Sequence, residues 1–209
     1  MQAQQKELIG LLDKCVEFHM NTVLLHIRPA CDALYKSSYE PWSSYLNNGR
    51  GVDPGWDPLQ FCIEECHKRG IEFHAWMNPY RVTTNVAKSL EDIAKEAKPL
   101  NAASNPNNLL KGDTCIILDP GRPSVRNFLV NTCMELVENY DVDGLHLDYV
   151  RYAAGNDVGH ENSVYCAVGK DKDLWADKCL NRTTGYTTYA MNDFKEKYNV
   201  TPGLAVILV

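Results

Sequence analysis

The chain has 209 residues, 44% of them hydrophobic, which is enough for one sizeable core and too few for two generous ones, so a single globular domain is expected over 1–209. Its formal net charge of -6 is made from acidic and basic residues scattered along the chain. This leaves no basic stripe for a phosphate backbone, and nucleic acid is not an expected partner.

No apolar run approaches the ~20 residues of a membrane-spanning helix. The opening "MQAQQKELIG" lacks both the charged and the apolar regions of a signal peptide, so a soluble chain with no export signal of its own is expected. Of the eight cysteines, Cys15, Cys31, Cys62, Cys66, Cys115 and Cys133 fall within apolar patterns and read as small packing residues. Cys166 and Cys179 lie in a polar stretch and are a candidate disulfide in an oxidising compartment.

In chain order, Leu8, Leu11, Leu12, Cys15 and His19 recur at helical spacing, which predicts an amphipathic helix over residues 2–19. "NTVLLHIRP", residues 21–29, is a compact β-branched and aliphatic run that stops at a proline, and it reads as a strand. A polar, aromatic loop follows. Asp57 and Pro58 supply an N-cap and a first-turn proline, Leu59, Cys62, Ile63 and Cys66 mark one face, and Gly70 stands where a C′ glycine ends a helix. Cys62, Cys66 and His67 invite a metal reading, but the shared face with Leu59 and Ile63 favours core packing.

"IEFHAWMNP", residues 71–79, is a second strand. The stretch 83–114 is less legible, with a short helix capped by Ser89 and Asp92, and "CIILDPG" is a short extended piece. Pro123 opens a third helix with a stripe of Val125, Phe128, Leu129, Thr132, Cys133, Leu136 and Val137. It leads into "VDGLHLDYVRY", residues 142–152, a third strand. Beyond it come a polar loop, a helix near 186–198 and the apolar tail "LAVILV".

Strands alternating with two-faced helices predict an α/β fold with a parallel sheet, either a (β/α) barrel or an open doubly wound sheet. Side chains alternate across a strand, so parity sets Val23, Leu25 and Ile27 against Leu24, His26 and Arg28. The second strand sets Phe73, Ala75 and Met77 against His74, Trp76 and Asn78. The third sets Leu145, Leu147 and Tyr149 against Gly144, His146 and Asp148. Each strand thus has an apolar face and another that turns polar toward its C-terminal end, where barrel active sites sit. A single histidine of this kind is usually a hydrogen-bonded core residue; three strands with one pattern argue for a functional pocket.

"NTVLLHIRPACDALYKSSYEPWSSYL", "FHAWMNPYRV", "LDPGRPSVR" and "YDVDGLHLDYVRY" resemble the glycosyl hydrolase-like family GHL10 over most of residues 3–152. The resemblance implies a TIM-barrel catalytic domain, an exported and glycan-facing location, extracellular or periplasmic, and cleavage of peptidoglycan glycan. The chain departs from the pattern in three ways. Cys31 replaces a glycine usual in relatives, Tyr149 stands where some carry a second aspartate, and a complete barrel needs ~250 residues. About half a barrel is therefore expected, with 1–152 legible and 153–209 a loop, a helix and an atypical tail.

Glycoside hydrolysis uses two carboxyl groups, one ionised and one protonated. Asp148 is the catalytic candidate. Arg28 and His146 are placed to hold it ionised or to bind sugar, His74 and Asn78 to bind hydroxyls, Trp76 or Tyr80 to stack on a sugar face, and Asp32 to reach the rim from its loop. Glu161 is the local candidate for the partner carboxylate, and Asp143 reads as shaping the strand entrance. Tyr35, Tyr39, Trp42 and Tyr45 either cover the barrel end or stack on sugars. No cofactor is expected. Two rival readings stand: a metal-dependent hydrolase using His26, His74, His146 and Asp148, and a non-catalytic carbohydrate-binding remnant.

Overall fold

A computed structural model describes residues 3–46, 49–112 and 114–150, together with helical positions Asn192 and Lys195 to Lys197. The proposed Cys166 to Cys179 bridge, Glu161 and the apolar tail lie outside the described residues.

The first helix, α1 (Ala3–Glu17), is closed by His19 at φ 57°, with Met20 N–H donating to the Cys15 carbonyl at 2.8 Å. This is the reversal that usually carries a glycine. Strand β1 (Thr22–Arg28) follows, then helix α2 (Pro58–His67), whose N-cap Asp57 accepts from Gln60 N–H at 3.1 Å. Gly70, at φ 67°, ends α2 with Ile71 N–H on the Cys66 carbonyl at 3.0 Å. The chain then enters β2 (Glu72–Met77).

The segment between β2 and the next long helix is a small module. It contains α3 (Leu90–Glu96), capped by Ser89, then short 3-10 turns at Ala102–Ser104 and Pro106–Asn108. An antiparallel pair, β3 (Leu109–Lys111) with β4 (Ile116–Leu118), completes it. Helix α4 (Pro123–Asn139) returns the chain to β5 (Gly144–Leu147). The three-residue β3 and the 3-10 turns carry no periodicity that a sequence reading can use.

β1, β2 and β5 form one parallel sheet in that order. The fold is thus α/β with a parallel sheet, and the described strands form an open sheet rather than a closed barrel. Ile27, Phe73, Ala75 and Met77 are fully buried beneath Leu59, Cys62, Ile63 and Cys66 of α2, with Leu12 of α1 and Leu136 of α4 in the same cluster. Cys62 and Cys66 are therefore core residues, and the six described cysteines carry no disulfide.

A second cluster fills the module with Val82, Ile93, Leu109, Ile116 and Leu118 against Val125, Phe128 and Leu129 of α4. Helix α4 belongs to both cores, its first half to the module and its second half to the sheet. Val137, expected on the buried stripe, is 59% exposed on the outer face.

Candidate active site at the C-terminal edge of the sheet

The parallel register places Leu24 beside His74 and Gly144 in one row, and His26 beside Trp76 and His146 in the next. Because all three strands run the same way, their polar positions accumulate on one face. His74 fits there because its neighbour is a glycine: a Cβ on Gly144 would lie 2.7 Å from the His74 Nδ1. The space admits the ring, and His74 Nδ1 reaches His146 Nε2 at 2.8 Å, while Glu72 stands 3.6 Å from its other nitrogen.

One row further, the His26 ring stacks on Trp76 with centroids 4.2 Å apart and planes 12° from parallel. Burial holds His26 below its ordinary pKa, and Arg81 adds to this, while the charges of Asp148 and Asp32 and the Asn78 amide pull the other way. The imidazole is therefore neutral at pH 7, within the field of both Arg81 and Asp148. His26 Nε2, Trp76 Nε1 and Asn78 Oδ1 are buried polar atoms without a hydrogen-bond partner among the described residues. Such atoms carry a desolvation cost unless a ligand or water meets them.

Asp148 lies just past β5, its amide donating to the Met77 carbonyl at 3.0 Å and its Oδ1 accepting from Tyr149 N–H at 2.6 Å. Tyr149 has φ 53°, and the Arg81 guanidinium covers its ring at 4.0 Å from the centroid. Arg81, in "NPYRV", is the residue that sequence reasoning passed over, since nothing in its spacing shows that the loop after β2 folds back onto β5.

Parity fails for Arg28, and the closure of the surrounding loops decides where Asp32, Asn78 and Tyr80 stand. The register slips between His26 and Arg28, so that Arg28 pairs with Met77 and turns from the polar face into the core. There it is fully buried, its Nε donating to Glu40 at 2.7 Å and its Nη1 to the carbonyls of Asn78 and Pro79 at 2.6 and 3.1 Å. Burial works against its charge, but Glu40, Cys31 and Tyr35 together more than offset burial and raise the pKa, so the guanidinium stays charged. Arg28 thus joins the ends of β1 and β2 and does not face Asp148.

Asp32 is 4% exposed and spends its oxygens on Ala30 N–H at 3.0 Å and Ser43 Oγ at 2.6 Å. Asn78 is buried and donates to the Pro29 carbonyl at 3.1 Å, leaving its Oδ1 for a ligand. Tyr80 packs against the module core. Of the loop aromatics, Tyr35 and Tyr39 pack edge-on to Tyr140 and Phe128, whereas Tyr45 is 72% exposed.

Asp143 stands at the opposite end of the sheet, where it accepts from Phe73 N–H at 2.7 Å and pairs with His67 Nε2 at 2.8 Å. It fixes the entrance to β5, as its position before the glycine implied. Among the described residues no group of three or more His, Cys, Asp or Glu side chains is arranged to hold a metal ion, and none of their helices is long and apolar enough to cross a membrane.

The family model for glycosyl hydrolase-like 10 matches residues 1–196. The chain belongs to this family. It is 40% identical over 170 residues to glycosyl hydrolase YngK of Bacillus subtilis, a match covering 80% of this chain and 32% of that one. With glycosyl hydrolase DigH of Escherichia coli K12 it shares 34% identity over 149 residues, 69% of this chain and 34% of that one. The chain thus spans about a third of the length of these relatives. Among solved structures, an alpha-galactosidase from Lactobacillus brevis matches with a TM-score of 0.46 and 13% identity, over 93% of this chain and 24% of that one.

Proposed function

We propose that this chain carries part of the active site of a (β/α)-barrel glycoside hydrolase acting on bacterial cell-wall glycan. In this reading β1, β2 and β5 are neighbouring strands of the barrel. The observation that carries it is the grouping of Asp148, His26, Trp76 and His146 on one face at the C-terminal end of a parallel sheet, in a chain of a glycosyl hydrolase-like family. Active sites of such barrels form at that end, from residues on several strands.

Asp148 serves as one of the two carboxyl groups that glycoside hydrolysis needs, and its partner lies outside the described residues. His146, the neutral His26 and the Asn78 amide oxygen bind hydroxyls of the sugar, whose ring leans on Trp76. Arg81, held over the Tyr149 ring, supplies positive charge next to the peptide that follows Asp148. A cell-wall substrate carries an extracytoplasmic location with it.

The second reading, a glycan binder without turnover, draws on one observation: Asp32 and Asp119, which follow β1 and β4, are both buried, Asp119 accepting from Gly121 N–H at 2.9 Å. Incubating the protein with peptide-free peptidoglycan strands and analysing the products by mass spectrometry separates the two. Shortened glycans that disappear with Trp76→Ala support the hydrolase. Binding without shortening supports the binder, and neither binding nor shortening overturns both.

A further inference from the structure

A groove of about 340 Å³ opens between the loop after β1 and the loop after β2, with Ala30, Tyr45 and Arg50 on one side and Thr83, Asn85 and Lys88 on the other. Its size is that of a small-ligand site, and it leaves the sheet at the end where Asp148 lies. The floor is apolar, formed by Val82 and Ile93, which are 2% and 6% exposed. Tyr45, among the more exposed large side chains of the protein, stands on the lip. An apolar floor with a free aromatic edge and polar walls suits a pyranose, which has a C–H face and a rim of hydroxyls.

The charges of the groove are not equally available. Lys88 is closed onto Glu96 at 2.6 Å. Asp32 is buried, with both oxygens bonded within its own loop. Arg50 is exposed, and its guanidinium is fixed by the carbonyls of Cys31 and Ala30 at 2.5 and 3.4 Å. A peptide carbonyl orients a guanidinium without cancelling its charge. Arg50 is therefore a preorganised cation on the groove surface that, among the described residues, has no carboxylate within ion-pair distance, and a fixed guanidinium recognises a carboxylate with both charge and geometry.

We propose that this groove is a separate subsite for a carboxylate-bearing sugar unit of the glycan, with Arg50 taking the carboxylate and Tyr45 the ring. The proposal rests on the glycan reading above and extends it: the protein holds a chain on both sides of the rim and prefers acidic glycans. A muramic acid and a uronic acid both present such a carboxylate.

The test is a calorimetric titration of the Asp148→Asn protein, which prevents turnover, with three tetrasaccharides. One alternates N-acetylglucosamine and N-acetylmuramic acid, one is an oligogalacturonate, and one is neutral chitotetraose. An acidic probe is expected to bind about tenfold tighter than chitotetraose, and whichever does so names the acid. Arg50→Gln should erase the preference, Arg50→Lys should keep part of it, and Tyr45→Ala should weaken binding of every probe. Equal affinity for acidic and neutral probes, a preference that survives Arg50→Gln, or no binding of any probe overturns the proposal. Failure of the hydrolase reading shows instead as uncleaved glycan with the unsubstituted protein, whatever the titration gives.

Discussion

The guanidinium of Arg81 lies over the ring of Tyr149, 4.0 Å from its centroid, and Tyr149 is held at φ 53°. That backbone region is unfavourable for a bulky side chain, by about 1–2 kcal/mol, and a cation over the ring returns a comparable amount. The pair fixes the peptide that follows Asp148, whose carboxylate accepts from the Tyr149 amide. Arg81→Gln should lower kcat about tenfold through loss of aim and charge while leaving the folded fraction intact. In a Tyr149→Gly background, where the left-handed conformation is no longer strained, the same substitution should cost less. Steady-state kinetics of the four proteins measure this coupling, and additive effects would separate the pair.

Cys31 has φ 46°, in the region that favours glycine, and is fully buried. Burial pushes its thiol up to about 12, so it is an uncharged packing group. Replacement by alanine keeps the Cβ in the left-handed region, whereas glycine releases it. Both lose the contact between the sulfur and Arg28 Nη2 at 3.3 Å. Cys31→Gly should therefore be more stable than Cys31→Ala by about 1 kcal/mol in chemical denaturation.

The fully buried Arg28 and Glu40 pair at 2.6 Å, and Asn101 donates to the second Glu40 oxygen at 2.5 Å. Removing one partner leaves the other charge buried and alone. Glu40→Gln should destabilise the protein by about 3 kcal/mol, with loosening of the loop after β1 and of the module together. Hydrogen exchange at Ala33 and Ser43, whose amides cross that loop, reads the effect locally.

The bond between His67 and Asp143 ties α2 to the start of β5 and gives stability a pH dependence. The amide of Phe73 and then His67 hold Asp143 below its ordinary value, so its contribution is present above about pH 4 and is lost as pH falls through the lowered value. Asp143 in turn holds His67 above its ordinary value, so that contribution is full below about pH 6.5 and is lost as pH rises through the raised value. Both side chains are about one-third exposed, and solvent keeps the effect small. Thermal melts at pH 5.5 and 8.5 should show a larger gap between the native protein and His67→Gln at the lower pH.

Much of the sheet was legible because its strands and helices obey strong local rules. Asp57 caps α2, Gly70 ends it, and the alternation in β2 and β5 puts His74, Trp76 and His146 on one side. The placement of Arg28 was not legible, because a one-residue slip against β2 inverts parity without altering composition. Asp32, Tyr80 and Asn78 sit at the rim in sequence, yet the burial of Asp32 and Asn78 and the packing of Tyr80 depend on where the loop after β1 and the module close over them. Arg81 became visible only through the fold, in its contact with Tyr149. The module itself has its own core, built from short elements below the length at which periodicity speaks.

A catalytic role for Asp148 makes turnover depend on its carboxylate. Release of reducing ends from peptide-free peptidoglycan strands by the protein and by Asp148→Asn tests it most directly, with circular dichroism showing that both are folded. Steady release by the native chain and a fall of at least about a thousandfold in the variant are expected, the scale for loss of a group acting in the transition state. Release that persists in Asp148→Asn within a few-fold of the native rate would contradict it.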